Sequence, residues 1–227
     1  MGWGNSQAYY VIIGLGVVMK EGIYLINKPR GRSSFSMVAQ VRRVSGIKKV
    51  GHAGTLDPEA EGLLIVLVGK EYTKQSDKFL KLDKTYEFEV KLGENSSTGD
   101  EEGAKTNISS TKPTRTEIEA VVSRFVGKIS QTPPQYSAIK INGQRAYKSA
   151  QKGIKVDIQP REITINSLNI LNYKYPFLNL RANVSSGTYI RSLAEDIGRE
   201  LKTGGYCTKI VRTRIGESYL KDAITLD

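Results

Sequence analysis

Residues 51–62 read Gly-His-Ala-Gly-Thr-Leu-Asp-Pro-Glu-Ala-Glu-Gly and lead straight into the apolar run Leu63-Leu64-Ile65-Val66-Leu67-Val68. Glycines and a proline at this density exclude a regular helix or strand, so the first part is a loop. The apolar run that follows fits a buried strand, and a chain with such a strand is built around a sheet. A glycine-rich loop ahead of a buried strand lets a rigid scaffold present a side chain at its edge. Here that side chain is Asp57. An aspartate before proline is also a common turn residue. On the residues alone both readings stand, catalyst and turn.

The elements on either side follow from patterning. Residues 22–27 read as a strand and 28–34 as a loop ending in the N-cap candidates Ser33 and Ser34. Phe35, Val38, Val41 and Val44 then recur at helical spacing up to Gly46. A short helix is expected over 72–82. Tyr86, Phe88, Val90 and Leu92 alternate with charged residues, the mark of a half-buried strand. Residues 93–113 are polar and read as a long mobile loop. Thr114-x-x-Glu117 is a capping box ahead of a helix with Ile118, Val121, Val122 and Phe125 on its apolar face. Residues 163–170 and 177–184 alternate as paired strands, and 185–188 form a turn. A helix follows on Tyr189, Ile190, Leu193, Ala194, Ile197 and Leu201, closed by Gly204-Gly205. The last strand is 206–215, with Arg212 and Arg214 on one face. This order of strands, helices and hairpins argues for an α+β domain around a mixed or antiparallel sheet. No internal repeat or low-complexity tract interrupts it.

Composition narrows the chemistry. The chain has 227 residues and a formal net charge of +11, a balance that suits a polyanionic partner, nucleic acid or an anionic membrane surface. A solvated basic surface with no specific partner is the plainer alternative. The single cysteine, Cys207, excludes an internal disulfide and fits a reducing, cytoplasmic setting. His52 is the only histidine, so zinc sites with several Cys or His ligands are excluded, and a histidine-dependent triad would have to use His52 itself. There is no Walker A pattern, and Gly14-Leu15-Gly16 lacks the third glycine of a dinucleotide fingerprint. These exclusions favour a carboxylate acting alone. Residues 9–19 are apolar but too short to cross a membrane, and no basic residue precedes them as in a signal peptide. Met19-Lys20-Glu21-Gly22 reads as a natural beginning, which makes residues 1–19 an extension.

Residues 132–161 differ from the rest. Between Pro133-Pro134 and Pro160 lie Lys140, Arg145, Lys148, Lys152 and Lys155, interleaved with Tyr136 and Tyr147. Cations meet phosphates and rings meet unstacked bases, so this mixture suits RNA. An ordinary basic hairpin and helix would have the same composition.

The loop at 51–62 resembles the central motif of the TruB family of pseudouridine synthases, which isomerise uridine 55 in the T loop of tRNA. Gly51, His52, Gly54, Thr55, Leu56, Asp57, Pro58, Ala60 and Gly62 stand in that pattern. Four more family motifs follow the same order: Lys28-Pro29-x-Gly31-x-Ser33-Ser34, Lys84-Thr85-Tyr86, Gly187-Thr188-Tyr189-Ile190-Arg191 and Arg212-Thr213-Arg214-Ile215-Gly216. The resemblance covers roughly residues 20 to 216. It departs where Tyr72-Thr73-Lys74 replaces the usual Ala-Thr-Lys, and it places Ile210 where a leucine is usual.

The resemblance implies a pseudouridine synthase fold with a catalytic domain over 20–217, a thumb-like RNA-binding insertion at 132–161 and a tail at 218–227. It implies no metal and no cofactor, tRNA as partner through its T stem-loop, no membrane, and a monomer. Asp57 takes the role of nucleophile and Arg191 that of its ion-pair partner. Tyr86 stacks on the flipped uracil, Tyr189 and Ile210 line the pocket, and His52 displaces the target base. Lys28 and Pro29 support the loop. Lys140, Arg145, Lys148 and Lys152 become RNA contacts. Family members usually continue into a small C-terminal RNA-binding domain, which has no counterpart before Asp227. A non-catalytic RNA chaperone, a synthase for another RNA, and a carboxylate hydrolase using Glu59 or Glu61 remain the alternatives. Singly, each residue has a plain reading: Tyr86 as a core strand residue, Arg191 as a helix partner of Glu195, His52 as a hydrogen-bonded loop residue.

Overall fold

Every residue from Leu63 to Val68 is completely buried, and alternate side chains enter different cores. The computed structural model that shows this describes residues 10–13, 16–137, 139–141, 143–150, 153–154 and 156–226. The side chains of 10–13, 16–18, 140, 141, 145, 147 and 148 also lie outside the described set. The chain divides into two compact units, Met1–Thr85 with Val211–Asp227, and Tyr86–Ile210.

The first unit begins with the hairpin β1 (Tyr10–Ile13) and β2 (Gly16–Met19). Then come β3 (Gly22–Lys28), α1 (Ser34–Ser45), β4 (Val50–His52) and β5 (Glu61–Val68). The antiparallel neighbour β3 lies along the whole of β5, from Gly22 opposite Val68 to Lys28 opposite Gly62. On the other edge β4 pairs with the far end of β5, His52 opposite Val66. Leu64, Val66 and Val68 pack with Met37, Val38 and Val41 of α1 and with Tyr24, Ile26 and Val50. Leu63, Ile65 and Leu67 point the other way, into a cluster with Ala53 and Ile215. Burial on both faces is why the sequence shows no alternation here.

α1 is bounded as its sequence implies. The Ser33 side chain accepts the Ser36 amide at 3.0 Å, and Gly46 ends the helix at φ +69. The helix expected over 72–82 is instead two short ones, α2 (Lys70–Thr73) and α3 (Ser76–Leu80). Gln75 lies between them with φ −91 and ψ 3, which turns the chain before α3 begins.

The second unit holds most of β6 (Lys84–Leu92), then β7 (Glu94–Ser96), β8 (Lys105–Asn107), α4 (Arg115–Arg124) and β9 (Gly127–Gln131). It continues through β10 (Lys140–Ile141), β11 (Gln144–Arg145), α5 (Ala146–Ala150), β12 (Arg161–Lys174), β13 (Phe177–Val184) and α6 (Ile190–Glu200). Its strands run in the order β6-β13-β12-β9, and the two long strands β12 and β13 pair antiparallel. Thr114 and Glu117 form both bonds of the capping box ahead of α4. On α6, Leu193, Ala194 and Ile197 are completely buried.

Two expectations are corrected here. Residues 93–113 are not one loop, because β7 and β8 pair within them, Ser96 opposite Lys105. Lys105 holds this hairpin by donating to the carbonyls of Asp100, Glu101 and Gly103, a polar bond set that leaves no hydrophobic alternation to read. The turn after α6 is made by Lys202, at φ 57, before Gly204, whose amide bonds back to the Gly198 carbonyl.

β14 (Gly205–Ile215) starts in the second unit and ends in the first. In the first unit it pairs parallel with β5, Val211 opposite Glu61 and Arg212 opposite Gly62. With β3 and β4 antiparallel to β5, the sheet is mixed. Residues 218–226 pack onto the first unit. β15 (Ser218–Tyr219) pairs with β14, and Ile224 exchanges backbone bonds with β3 through Leu25 and Asn27. Among the described residues no helix is long and apolar enough to cross a membrane.

Candidate active site

Asp57 opens a tight turn whose closing bond runs from the Ala60 amide to the Asp57 carbonyl, 3.1 Å. Pro58 occupies the second position, where its fixed φ suits the turn. That much is the turn reading of the sequence. What the sequence did not display is how tightly the backbone on both sides is held.

Ser34, first residue of α1 and 2% exposed, turns its hydroxyl inward. It accepts the Leu56 amide at 2.8 Å and donates to the Leu56 carbonyl at 3.0 Å. Lys28, at the end of β3 and completely buried, donates to the carbonyls of Pro29, Arg32 and Pro58 at 2.9, 2.5 and 3.1 Å. The Pro58 carbonyl also takes the Gly31 amide at 2.9 Å. Arg212 of β14, 1% exposed, supplies the remaining anchors. Its guanidinium donates to the carbonyls of Leu63, Gly54 and Thr55 at 2.8, 3.0 and 3.4 Å. Bonds from charged donors stabilise by about 1.5–3 kcal/mol each, so removing either cation frees several carbonyls in a dry interior at once. Arg30 adds an outer clasp to Glu59 at 2.7 Å, on side chains roughly half exposed, where such a pair contributes about 1 kcal/mol or less.

Two buried cations, Lys28 and Arg212, donate to backbone carbonyls of a loop that itself carries three carboxylates. Burial pushes the Lys28 ammonium down to about 8, against the pull of the carboxylates of Asp57, Glu59 and Glu61. Burial, then the Arg212 guanidinium, lowers the pKa of His52. Both causes favour the neutral imidazole, whose buried Nδ1 has no hydrogen-bond partner among the described residues. Among the described residues no group of three or more His, Cys, Asp or Glu side chains could hold a metal.

The remaining sequence-predicted residues lie in the second unit. Arg191, on the first turn of α6 and 5% exposed, donates to the Thr98 carbonyl at 3.0 Å, to the Tyr136 carbonyl at 2.7 Å and to the Asp100 carboxylate at 3.2 Å. Tyr189 caps α6, and Gln131 clamps it by taking the Tyr189 amide at 2.8 Å and donating to its carbonyl at 3.1 Å. The Arg161 guanidinium sits 5.7 Å from the centre of the Tyr189 ring. Tyr86 lies on the buried face of β6 with Phe88 and Val90, and Ile210 is half-buried in β14. Burial raises the Glu195 carboxyl to about 7, with the carboxylate of Asp196 adding to it and Arg191 opposing. Lys140, Arg145 and Lys148 fall on β10, β11 and α5, with side chains outside the described set, and Lys152 lies outside it entirely.

The model of the TruB family pseudouridylate synthase N-terminal domain matches residues 42–190, which takes in the Asp57 turn, Tyr86 and Tyr189. The chain belongs to the TruB family. It is 46% identical over 204 residues to a protein of Protochlamydia amoebophila named tRNA pseudouridine synthase B, covering 90% of this chain and 78% of that one. A protein of the same name from Chlamydia abortus is 40% identical over 210 residues, covering 92% and 89%. Among solved structures, the Cbf5-Nop10-Gar1 complex contains a similar chain with a TM-score of 0.69 and 27% identity. The match covers 90% of this chain and 52% of that one, so this TruB-family chain spans about half the length of that solved one. A chain of the archaeal box H/ACA Nop10-Cbf5 complex aligns with a TM-score of 0.65 at 25% identity. The α+β architecture is thus the pseudouridine synthase fold, and the chain is an isomerase.

Ser34, Arg212 and Gln131 were not singled out from the sequence as site residues. Ser34 stands in the first family motif and as a cap candidate, and its neighbour Ser33 does the capping. Ser34→Ala removes both bonds to Leu56 and leaves that buried amide and carbonyl to find new partners. Turnover is expected to fall about tenfold and stability by about 1–2 kcal/mol. Single-turnover kinetics and thermal unfolding measure these. Wild-type turnover in this variant would show that the loop holds its position without the tether.

Proposed function

We propose that this chain is a tRNA pseudouridine synthase that isomerises uridine 55 in the T loop, with Asp57 as the nucleophile. The observation that carries the reading is the Asp57 turn. Asp57 stands on a backbone anchored from β3, α1 and β14, in a chain of the TruB family whose relatives are named for tRNA.

The reaction breaks the bond between C1′ and N1 of the uridine, turns the uracil, and joins C1′ to C5. The C5 proton leaves and N1 ends protonated, so the product is an isomer and nothing else is consumed. A positioned carboxylate assists by forming a covalent intermediate, on sugar or base, that divides one hard step in two. Anchored carbonyls keep the Asp57 backbone fixed while its side chain changes partners. Arg191 is the ion-pair partner that orients the carboxylate, and Tyr86 stacks on the uracil and takes the C5 proton. Tyr189 and Ile210 line the pocket. A base inside a folded loop must first be extruded, at a cost of a few kcal/mol, and a neutral His52 wedge with the Tyr86 stack offsets it. Lys140, Arg145, Lys148 and Lys152 hold the T arm as the RNA-binding insertion of a catalytic domain over 20–217. The protein works as a monomer in the cytoplasm.

The test is to incubate unmodified tRNA transcript, and separately total RNA, with the protein and to map pseudouridine. Conversion at the T-loop uridine is expected. Conversion only in another RNA would move the substrate, and binding without conversion would make the chain an RNA chaperone.

A further inference from the structure

From Gly22 to Leu56 the chain carries seven lysines and arginines and no aspartate or glutamate. Set against a net charge of +11 for all 227 residues, more than half of the excess lies in this one stretch. Two of the seven are committed: Lys28 to buried carbonyls and Arg30 to Glu59. Among the described residues the other five, Arg32, Arg42, Arg43, Lys48 and Lys49, have no carboxylate within ion-pair reach.

Their placement is ordered. Phe35, Ala39, Arg42 and Arg43 recur at i, i+4, i+7 and i+8, so they share the outward stripe of α1. Phe35 is 67% exposed, a large ring left in water at the first turn. The Arg42 guanidinium reaches to 5.9 Å from that ring and also donates to the Val50 carbonyl at 2.8 Å. Arg32 lies along the same helix, on the Ser36 hydroxyl at 3.4 Å and the Gln40 carbonyl oxygen at 3.2 Å. Lys48 and Lys49 are exposed in the connection to β4. α1 is 12 residues long, about 18 Å. Ser34 pins its beginning to the Asp57 loop, so the cations start beside the proposed nucleophile and extend away from it.

Two plainer accounts fall short. Cations in the last turn offset the helix dipole, which covers Arg42 and Arg43 but not Arg32, Lys48 or Lys49. A membrane-surface helix needs a broad free apolar face, whereas α1 buries Met37, Val38 and Val41 in its own core. A row of cations without a carboxylate partner among the described residues, beside one exposed ring, matches a nucleic-acid strand, phosphates against the charges and a base against the ring.

We propose that the outer face of α1 and the connection to β4 form a second RNA-binding surface, which grips backbone phosphates of the substrate RNA outside the target loop. This rests on the reading that the chain modifies RNA. Charge on this surface raises affinity and makes it salt-dependent, because each phosphate contact releases counterions.

The experiment compares two triple variants with the wild type on full-length unmodified tRNA transcript across a salt series. One carries Arg43→Gln, Lys48→Gln and Lys49→Gln. The other removes the same charge at three exposed cations of the second unit, Lys112→Gln, Arg124→Gln and Lys174→Gln. The first triple is expected to bind about tenfold or more weakly, and to lower the slope of log affinity against log salt by about two to three. The second is expected to change that slope by less than about one. A wild-type slope in the first triple, or an equal fall in both, would overturn the proposal. Each single variant of the first set replaces one exposed side chain and gives its share of the slope change should the triple unfold. Pseudouridine is assayed in the same reactions. If the wild type modifies no RNA, the functional reading fails, while the slope comparison still judges the surface.

Discussion

Asp57→Asn is expected to leave a folded, RNA-binding protein that makes no pseudouridine, with turnover down roughly a thousandfold or more. The substitution keeps the size and planarity of the side chain and removes its charge. It leaves in place the bonds by which Ser34, Lys28, Gly31 and Arg212 hold main-chain atoms of the loop. Loss of activity in this variant therefore reports on the carboxylate itself. Single-turnover kinetics, binding to tRNA transcript and thermal unfolding should be read together. Turnover near the wild-type rate would remove Asp57 from the chemistry. A collapse of stability would instead make it a structural turn residue, the plainer of the two readings its sequence allows.

The second large effect lies five residues away and is purely structural. Gly62 sits at φ +105, directly opposite Arg212 in the parallel pairing of β14 with β5. A Cβ at Gly62 would lie 2.5 Å from the Arg212 carbonyl oxygen, 2.9 Å from its nitrogen and 3.1 Å from its carbonyl carbon. These are backbone atoms of a buried strand and cannot swing aside as a side-chain tip could. Gly62→Ala thus combines a left-handed backbone with a clash that must part the two strands. The cost is expected to be roughly 4 kcal/mol or more, a fall of about 10 °C in Tm for a chain of this size. Moving β14 also withdraws the Arg212 guanidinium from Gly54, Thr55 and Leu63, so activity should fall with stability. Differential scanning calorimetry alongside the pseudouridine assay measures both. A Tm close to wild type would mean that the strands can separate locally at little cost.

The contrast between Gly62 and Gly54 shows what close approach means here. A Cβ on Gly54, at φ +102, would meet the Arg212 Nη1 at 3.6 Å, an ordinary contact with a side chain. The glycine is favoured there by its backbone angle, whereas at Gly62 both angle and space require it.

How far the fold was legible in the sequence depends on how local its cause is. The cap at Ser33, the Gly46 stop, the Thr114–Glu117 box and the alternation of β6 and β13 are set by residues within a few positions of one another, and all are seen. The β7–β8 hairpin was missed because its strands are polar on both sides and are held by a lysine on backbone carbonyls, a contact with no sequence period. The pairing of residues 218–224 was missed because it depends on which strands already lie beside them.

The sequence alone determined that Asp57 stands in a glycine-rich turn before a buried strand, and that its motifs belong to one family in one order. It also determined where the charge lies, including an acid-free stretch of 35 residues from Gly22 to Leu56. Only the tertiary structure decided what holds the turn. Ser34 lies 22 positions from Leu56, Lys28 lies 30 from Pro58 and Arg212 lies 158 from Gly54, yet all bond to the same short loop. The physical reason is that hydrogen-bond donors are matched to carbonyls by proximity in the folded core. No pattern along the chain encodes which buried cation will meet which carbonyl until the strands that carry them are paired.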